Sequence, residues 1–374
     1  MTSAAFGMDD FTFDKLADFE NLYKAHRECR KGKRWKDSPA LYDMRALEST
    51  LFLLRLLETR HYRMARYNCF QINERGKCRD IKSIKYQDRV VQRCLNDEII
   101  APKVMPKLIK SNTASQPGKG QEEAMRILKE DLQREVRKNG VGGFILVCDM
   151  SKYFDSIPHD LLNDLYDRFY EDKEIVEFIR YIHATIPGGV GCPLGNHLSQ
   201  IDALLALNEL DHIIKEQFHI EGYGRYMDDF YLISHNKEEL KTILSFIKAY
   251  TMHKGLKLNE KKTHIVPIRQ GVTFIGFRFY VTNTGKVVIR LAKKSIERHK
   301  KKMRKMKGLL DQGKVTFEDC KLAHMGWKAH AGWRSEKSRK TDKKRVKPNT
   351  YYLLRKMDQW FNDLFQEYIN NKEE

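Results

Sequence analysis

The sequence predicts an α+β fold with a small antiparallel sheet, and three observations carry that prediction. Gly143-Phe144-Ile145-Leu146-Val147-Cys148-Asp149 holds five consecutive apolar residues, the texture of a strand buried on both faces. Gly224 to Ile233 reads as strand, turn, strand, with Tyr226-Met227-Asp228-Asp229 at the turn. The segments around these two are spaced for helices, so the order along the chain is strand, helix, helix, hairpin, helix, strand.

Taken in order, the first sixty residues read as helical. Asp14-Lys15-Leu16-Ala17-Asp18-Phe19 and Leu41-Tyr42-Asp43-Met44-Arg45-Ala46-Leu47 place apolar groups three and four apart. The basic stretch from Arg27 to Lys36 between them reads as a solvated, RNA-facing connection. Phe70 to Ile84 changes texture and suggests a short hairpin turning near Gly76. Tyr86 to Ile100 returns to helix. Ser111 to Gly120 is rich in polar residues, glycine and proline, a loop before a helix that starts near Gln121. Further helices are expected after Pro158-His159-Asp160, over Ser199 to Glu216 and over Lys237 to His253. Strands are expected near Thr263 to Ile268 and Phe274 to Tyr280, and Lys293 to Leu310 is a long basic helix. At ~150 residues per domain, 374 residues make two or three units.

Composition narrows the function. With 41% hydrophobic residues the chain can bury a core, which excludes a disordered protein. No apolar run approaches the ~20 residues of a bilayer span. Met1 to Asp10 lacks the basic region and apolar stretch of a secretory signal. Sixty-nine basic residues against 50 acidic ones leave a net charge of +19, which favours a polyanionic partner, nucleic acid first. The surplus is concentrated: from Val281 to Glu374 there are 25 Lys and Arg against 11 Asp and Glu. The seven cysteines, at 29, 69, 78, 94, 148, 192 and 320, are odd in number and form no Cys-x-x-Cys pair. That argues against a disulfide framework and a tetrathiolate zinc site, and fits a reducing, cytoplasmic setting.

The chemistry-bearing pattern is acidic. Asp149 closes the apolar run 144–148, and Asp228 and Asp229 sit in the turn before Phe230 to Ile233. Carboxylates beside such strands are costly unless compensated. Magnesium prefers carboxylate oxygens and keeps positions open for substrate phosphates, and a pair of ions about 4 Å apart clamps the two oxygens of an in-line phosphoryl displacement.

An ordered set of motifs surrounds these aspartates and resembles the reverse transcriptase family. Asp149-Met150-Ser151-Lys152-Tyr153-Phe154-Asp155 resembles the first palm motif. Pro193-Leu194-Gly195-Asn196-His197-Leu198-Ser199-Gln200 resembles the second, and Tyr226-Met227-Asp228-Asp229 the third. Lys261-Lys262 is similar to the basic element of the fourth, and Phe274-Ile275-Gly276-Phe277 to the primer-grip turn. Upstream, Lys77-Cys78-Arg79-Asp80-Ile81 resembles the fingers strand that meets the incoming triphosphate, and Asp88-Arg89-Val90-Val91-Gln92 follows it.

The resemblance implies a right-hand polymerase fold, with fingers in 61–142, palm in 143–282 and a basic helical thumb with its tail in 283–374, after an N-terminal helical region in 1–60. It implies two Mg2+ ions, with Mn2+ as a substitute, on Asp149, the Met150 carbonyl, Asp228 and Asp229. Phe154 would lie beneath the deoxyribose, and Arg79 and Lys77 would bind the triphosphate as charge-assisted donors. Lys262 would protonate the leaving pyrophosphate. Arg225 would support the primer strand or a local carboxylate. The implied partners are a structured template RNA, the RNA/cDNA duplex, dNTPs and a small basic accessory protein of the same element, in a bacterial or phage-encoded cytoplasmic setting.

The second palm motif marks a subtype. Most relatives carry Gln-Gly near its start and Ser-Pro near its end, where Leu194-Gly195 and Ser199-Gln200 stand here. A small aliphatic, Gly, three residues and Ser-Gln is the pattern of diversity-generating retroelement reverse transcriptases. Asn208-Glu209-Leu210-Asp211 and Ser115-Gln116-Pro117-Gly118-Lys119-Gly120 also resemble that group. It implies error-prone copying, notably opposite adenine, with Gln200 relaxing the check on the templating pair. Two alternatives stay open: an antiphage-defence reverse transcriptase making protein-primed or non-coding-RNA-templated DNA, and a non-catalytic RNA-binding protein on a decayed palm. In the tail, Lys293-Lys294, Arg298, Lys300-Lys301-Lys302 and Arg304-Lys305 crowd one helix, which suits a phosphate backbone and salt-dependent binding. Arg334 to Arg345 reads as a loop that orders on structured RNA, and Trp327, Trp333 and Trp360 as base-stacking residues or, for most of them, residues that pack the thumb.

Overall fold

The computed structural model describes residues 11–74, 77–332 and 350–370. The chain forms two compact units. One comprises Met1–Gly118, Cys148–His219 and Ile243–Lys261, the other Lys119–Val147, Ile220–Thr242 and Lys262–Glu374.

The N-terminal helices form as their spacing predicts: α1 (Phe13–Leu16), α2 (Phe19–Arg30), α3 (Asp37–Met44) and α4 (Ala46–Glu58). Asp18 caps α2 by accepting from Asn21 N at 2.8 Å, and the helix buries Leu22, Ala25, His26 and Cys29 on one face. Strands β1 (Asn68–Glu74) and β2 (Lys77–Ser83) pair antiparallel, with Ile72 opposite Arg79. The expected turn at Gly76 lies outside the described residues. Next come α5 (Tyr86–Cys94), continued by a wider turn over Leu95–Ile100, then α6 (Ala101–Val104) and α7 (Gln121–Asn139).

The apolar run becomes β3 (Phe144–Asp149), followed by α8 (Tyr153–Ser156), α9 (His159–Phe169), α10 (Lys173–Ala184), α11 (Leu198–Leu205) and α12 (Asn208–His212). The single helix expected over Ser199 to Glu216 is therefore broken at Ala206 and Leu207. Every side chain from Ile201 to Leu207 is buried, so no solvent-facing stripe holds the segment to one axis, and packing sets the bend. Helix α10 escaped the sequence reading altogether.

Strands β4 (Gly222–Tyr226) and β5 (Asp229–Ser234) make the hairpin, α13 (Lys237–His253) follows, and β6 (His264–Pro267) completes a four-stranded sheet in the order β4-β5-β3-β6. Strands β7 (Val272–Phe274), β8 (Phe277–Val281) and β9 (Val287–Leu291) form a separate three-stranded sheet, where the sequence suggested one strand. The structure is thus α+β with small antiparallel sheets. In the second unit one core joins α7 through Leu128 and Leu132, the four-stranded sheet through Ile145, Val147 and Tyr231, and the three-stranded sheet through Phe274, Phe277 and Phe279.

The basic tail is helical as expected: α14 (Lys293–Asp311), α15 (Phe317–His330), α16 (Tyr351–Leu364) and α17 (Gln366–Asn370). Met303, Phe317, Cys320, Phe361 and Phe365 form its core. A buried polar chain crosses the same helices. His299 Nε2 meets His324 Nδ1 at 2.9 Å, His324 Nε2 meets Asp358 at 3.0 Å, and Lys328 donates to Asp358 at 2.7 Å. Burial lowers the pKa of His299 to about 3, so it is neutral here. Trp327 stacks on His299 with centroids 4.2 Å apart, and Trp360 lies beneath Lys300 and Arg304, so both pack the tail. Trp333 and the run Arg334 to Arg345 lie outside the described residues. Among the described residues no helix is long and apolar enough to cross a membrane.

Candidate active site

In the first unit the site is built around Asp149, the last residue of β3. Its side chain is only 4% exposed. Asn259 holds it twice: Asn259 Nδ2 donates to Asp149 Oδ1 at 3.1 Å, and Asn259 N donates to the Asp149 carbonyl at 2.7 Å. Ser151 N donates to Lys257 O at 2.7 Å, and Met150 bridges to Leu258. The strand end is therefore fixed by the segment just before Lys261 and Lys262. Asn259 was not legible in the sequence, because its spacing to Asp149 exists only in the fold.

Beyond Asp149 the chain turns through Lys152, a left-handed residue with φ +47°, into α8. Tyr153 is buried and donates its hydroxyl to Ala203 O at 2.6 Å, a core role. Phe154 is half-buried, and its carbonyl accepts from Cys192 N at 2.6 Å. That bond ties the first motif to the approach to the second. Gly191 (φ +93°) sits so close there that a Cβ would lie 3.3 Å from Asp155 O.

The second motif carries Gly195, with φ +112°, where a Cβ would lie 3.1 Å from Lys82 O. Only glycine lets this loop touch β2, the strand that carries Lys77 and the half-buried Arg79. Ser199 Oγ donates to Pro193 O at 2.9 Å and His197 N donates to Gln92 at 3.2 Å. Burial and the nearby Arg89 lower the His197 pKa to about 4. With Ser199 turned inward, Gln200 is left exposed on α11.

In the second unit Asp228 and Asp229 are displayed, half-buried, by the β4–β5 hairpin. Tyr226 pairs with Asp229, so Met227 and Asp228 make a two-residue turn. Met227 has φ +57°, a left-handed conformation that costs a non-glycine residue about 1–3 kcal/mol. Arg225, 1% exposed, donates from Nη1 to Met227 O at 3.1 Å. Arg225 thus braces the aspartate turn from inside the core. The hairpin is anchored from below. Tyr231 donates to Asp131 of α7 at 2.7 Å, and its ring fills the space over Gly224, where a Cβ would lie 2.7 Å from the Tyr231 hydroxyl.

The β7–β8 turn is the same kind of device. Phe274 pairs with Phe277, and Ile275 and Gly276 take φ +44° and +89°, the left-handed pair of a tight hairpin. Phe274 and Phe277 are buried in the core, so only the Ile275-Gly276 backbone faces outward from this motif. Gln121 donates to Ile275 O at 2.6 Å. Lys262 lies on an exposed turn before β6.

Asp149 and the Met150 carbonyl in the first unit, and Asp228 and Asp229 in the second, all offer oxygen donors. That is the chemistry a hard divalent cation takes. Among the described residues no ready-made cluster of three or more His, Cys, Asp or Glu side chains surrounds a metal position. Magnesium does not require one, since it commonly rests on one or two carboxylates, water and substrate phosphates. Taken unit by unit, each of these oxygen donors is of the kind such an ion takes.

A family model described as reverse transcriptase (RNA-dependent DNA polymerase) matches residues 72–279. Among solved structures, the telomerase from Candida albicans in complex with a fragment of telomeric RNA is similar at 12% identity and a TM-score of 0.47, over 67% of this chain and 50% of that one. An apo, C-terminally truncated telomerase from Candida tropicalis gives 16% identity and 0.44, over 65% of this chain and 60% of that one. The Candida tropicalis telomerase with a telomeric RNA fragment gives 15% and 0.43, over 82% and 60%. The chain thus spans about half to three fifths of those telomerase chains. No curated protein matches it. The family match covers more than half of the chain, which belongs to the reverse transcriptase family of RNA-directed DNA polymerases, nucleotidyltransferases.

Proposed function

We propose that this member of the reverse transcriptase family copies a structured RNA into DNA with low fidelity, in the manner of diversity-generating retroelements. The observation that carries the polymerase reading is the aspartate turn: two adjacent carboxylates held on a strained hairpin tip by a buried guanidinium. A fold spends stability on such a turn where the display is useful. In this reading 61–142 serve as fingers, 143–282 as palm and 283–374 as thumb.

Asp149, Asp228, Asp229 and the Met150 carbonyl would hold Mg2+, with Mn2+ as a substitute, and the bound metal would supply charge neutralisation for phosphoryl transfer. Arg79 and Lys77 on β2 bind the triphosphate of the incoming dNTP, and Phe154 lies against its sugar. Lys262 gives a proton to pyrophosphate as it leaves. Gln200, exposed on α11, loosens selection at the templating pair. The partners are the template RNA, its cDNA duplex and a small basic accessory protein, and the setting is the cytoplasm of a bacterium.

The test is primer extension on RNA with Mg2+ and all four dNTPs, comparing wild type with Asp228→Ala/Asp229→Ala and sequencing the product. Aspartate-dependent DNA with errors concentrated opposite adenine is expected. Accurate or untemplated DNA would replace this subtype with the antiphage-defence reading. No DNA, even with native RNA and accessory proteins present, would leave a non-catalytic RNA-binding protein.

A further inference from the structure

The N-terminal helices contain a basic cavity that the polymerase chemistry does not use. It has a volume of about 740 Å³ and lies along the outer face of α2 and the turns that follow. Lys24, Arg27, Arg30, Lys31 and Arg34 line it, with Tyr23 at its side. Two carboxylates, Glu20 and Glu28, also face it, so the lining remains cationic.

Helix chemistry explains part of this charge. Cations in the last turn suit the negative end of the helix dipole, and Arg27 and Arg30 stand there. Arg30 and buried His26 also share Asp43, which fastens α2 to α3. Lys24 pairs with Glu98 at 2.7 Å, and Lys31 pairs with Glu28. Six of the ten residues from Arg27 to Lys36 are Lys or Arg, however, and the run continues past the helix. Arg27, Lys33 and Arg34 are exposed and make no salt bridge among the described residues. Like charges this close repel within one Debye length, about 8–10 Å, and a bound polyanion relieves that repulsion.

An aromatic stands at the margin. Trp35 is 78% exposed, yet its ring is held in place. Its Nε1 donates to Gly32 O at 3.3 Å, and Lys36 Nζ lies 5.1 Å from the ring centroid. An exposed, oriented indole next to guanidinium groups offers a stacking platform beside phosphate-binding cations, the combination that takes single-stranded nucleic acid.

We propose that this cavity is an RNA-docking site, in which Arg27 and Arg34 hold successive phosphates and Trp35 stacks a base. The site goes beyond the polymerase reading and does not depend on it. A free nucleotide shares the same chemistry, so the test separates the two sources.

Binding of a single-stranded oligouridine of about 12 nucleotides, within the range one site covers, is measured by fluorescence anisotropy over a salt series, without metal or dNTPs. Arg27→Glu/Arg34→Glu is expected to weaken binding. It should make the slope of log K against log salt shallower by about 0.7 for each phosphate no longer neutralised. Trp35→Ala is expected to weaken binding about tenfold. An equal charge change at exposed Arg137 and Lys286 should have a far smaller effect. Photocrosslinking a 4-thiouridine version should label the peptide spanning 23–36. Unchanged affinity and slope in both variants, with crosslinks confined to 293–314, would overturn the proposal. So would binding of ATP at this site without binding of the oligonucleotide. Because the readout is binding alone, a wild type inactive in primer extension would sink the polymerase reading and leave this one standing.

Discussion

Two hairpin turns in the second unit solve one backbone problem with different chemistry. Met227 and Ile275 both take left-handed conformations at the first position of a two-residue turn. In both, the strained residue's carbonyl is clamped by a side-chain donor. For Ile275 the donor is the neutral amide of Gln121, reaching from α7 at 2.6 Å. For Met227 it is the buried guanidinium of Arg225, two residues back in the same hairpin. The difference follows from what each turn displays. The β7–β8 turn presents backbone alone, and a neutral clamp suffices. The β4–β5 turn presents two carboxylates, and the clamp on its strained peptide is charged.

That comparison can be broken most severely at the carboxylates. Asp228→Asn keeps the shape of the turn but removes a charge. DNA synthesis is expected to fall about a thousandfold, equal to about 4 kcal/mol of transition-state stabilisation, with the thermal unfolding midpoint unchanged or higher. Loss of folding instead of activity would mean that the carboxylates stabilise the hairpin. Next in size is the charged clamp. Arg225→Met removes a buried cation and orphans its acceptors, which should cost about 3 kcal/mol in urea unfolding and lower activity with it. An active, fully stable variant would show that the turn holds itself.

The neutral clamp is worth less. Gln121→Ala is expected to cost about 1 kcal/mol and to weaken primer extension only modestly, read by the same two assays. The smallest effects come from relieving the strain itself. Met227→Gly should raise stability by about 0.5–1 kcal/mol, since glycine takes the left-handed conformation freely. Ile275→Gly should gain nothing, because Ile275 also packs against the core of the second unit. Equal stabilisation of both variants would show that apolar packing at Ile275 contributes nothing.

Several parts of this site were legible before the fold. The aspartates announced themselves because a carboxylate beside an apolar strand demands compensation. Gly276 and the Gly195 loop did so through the motifs they share with the reverse transcriptase family. The braces did not. Asn259 lies 110 residues from Asp149 in sequence, and Gln121 lies 154 from Ile275. No local pattern encodes a hydrogen bond across such a distance. Arg225 was visible as a support for the primer strand or a local carboxylate, but its burial was not. Phe274 and Phe277 were placed at the right turn, yet their pairing across it sends both rings into the core.

What the sequence determined by itself was period and order. Five consecutive apolar residues made β3, a two-residue turn made the aspartate hairpin, and three-and-four spacing made the N-terminal and tail helices. These are local properties, set by backbone geometry and by which face each side chain occupies. Tertiary structure alone decided where a uniformly buried segment bends, as between α11 and α12. It also decided which histidines join a buried chain, as His299 and His324 do across α14 and α15, and which polar side chain holds which strained carbonyl. Those outcomes depend on the packing of distant segments against one another, which exists only once the core has formed.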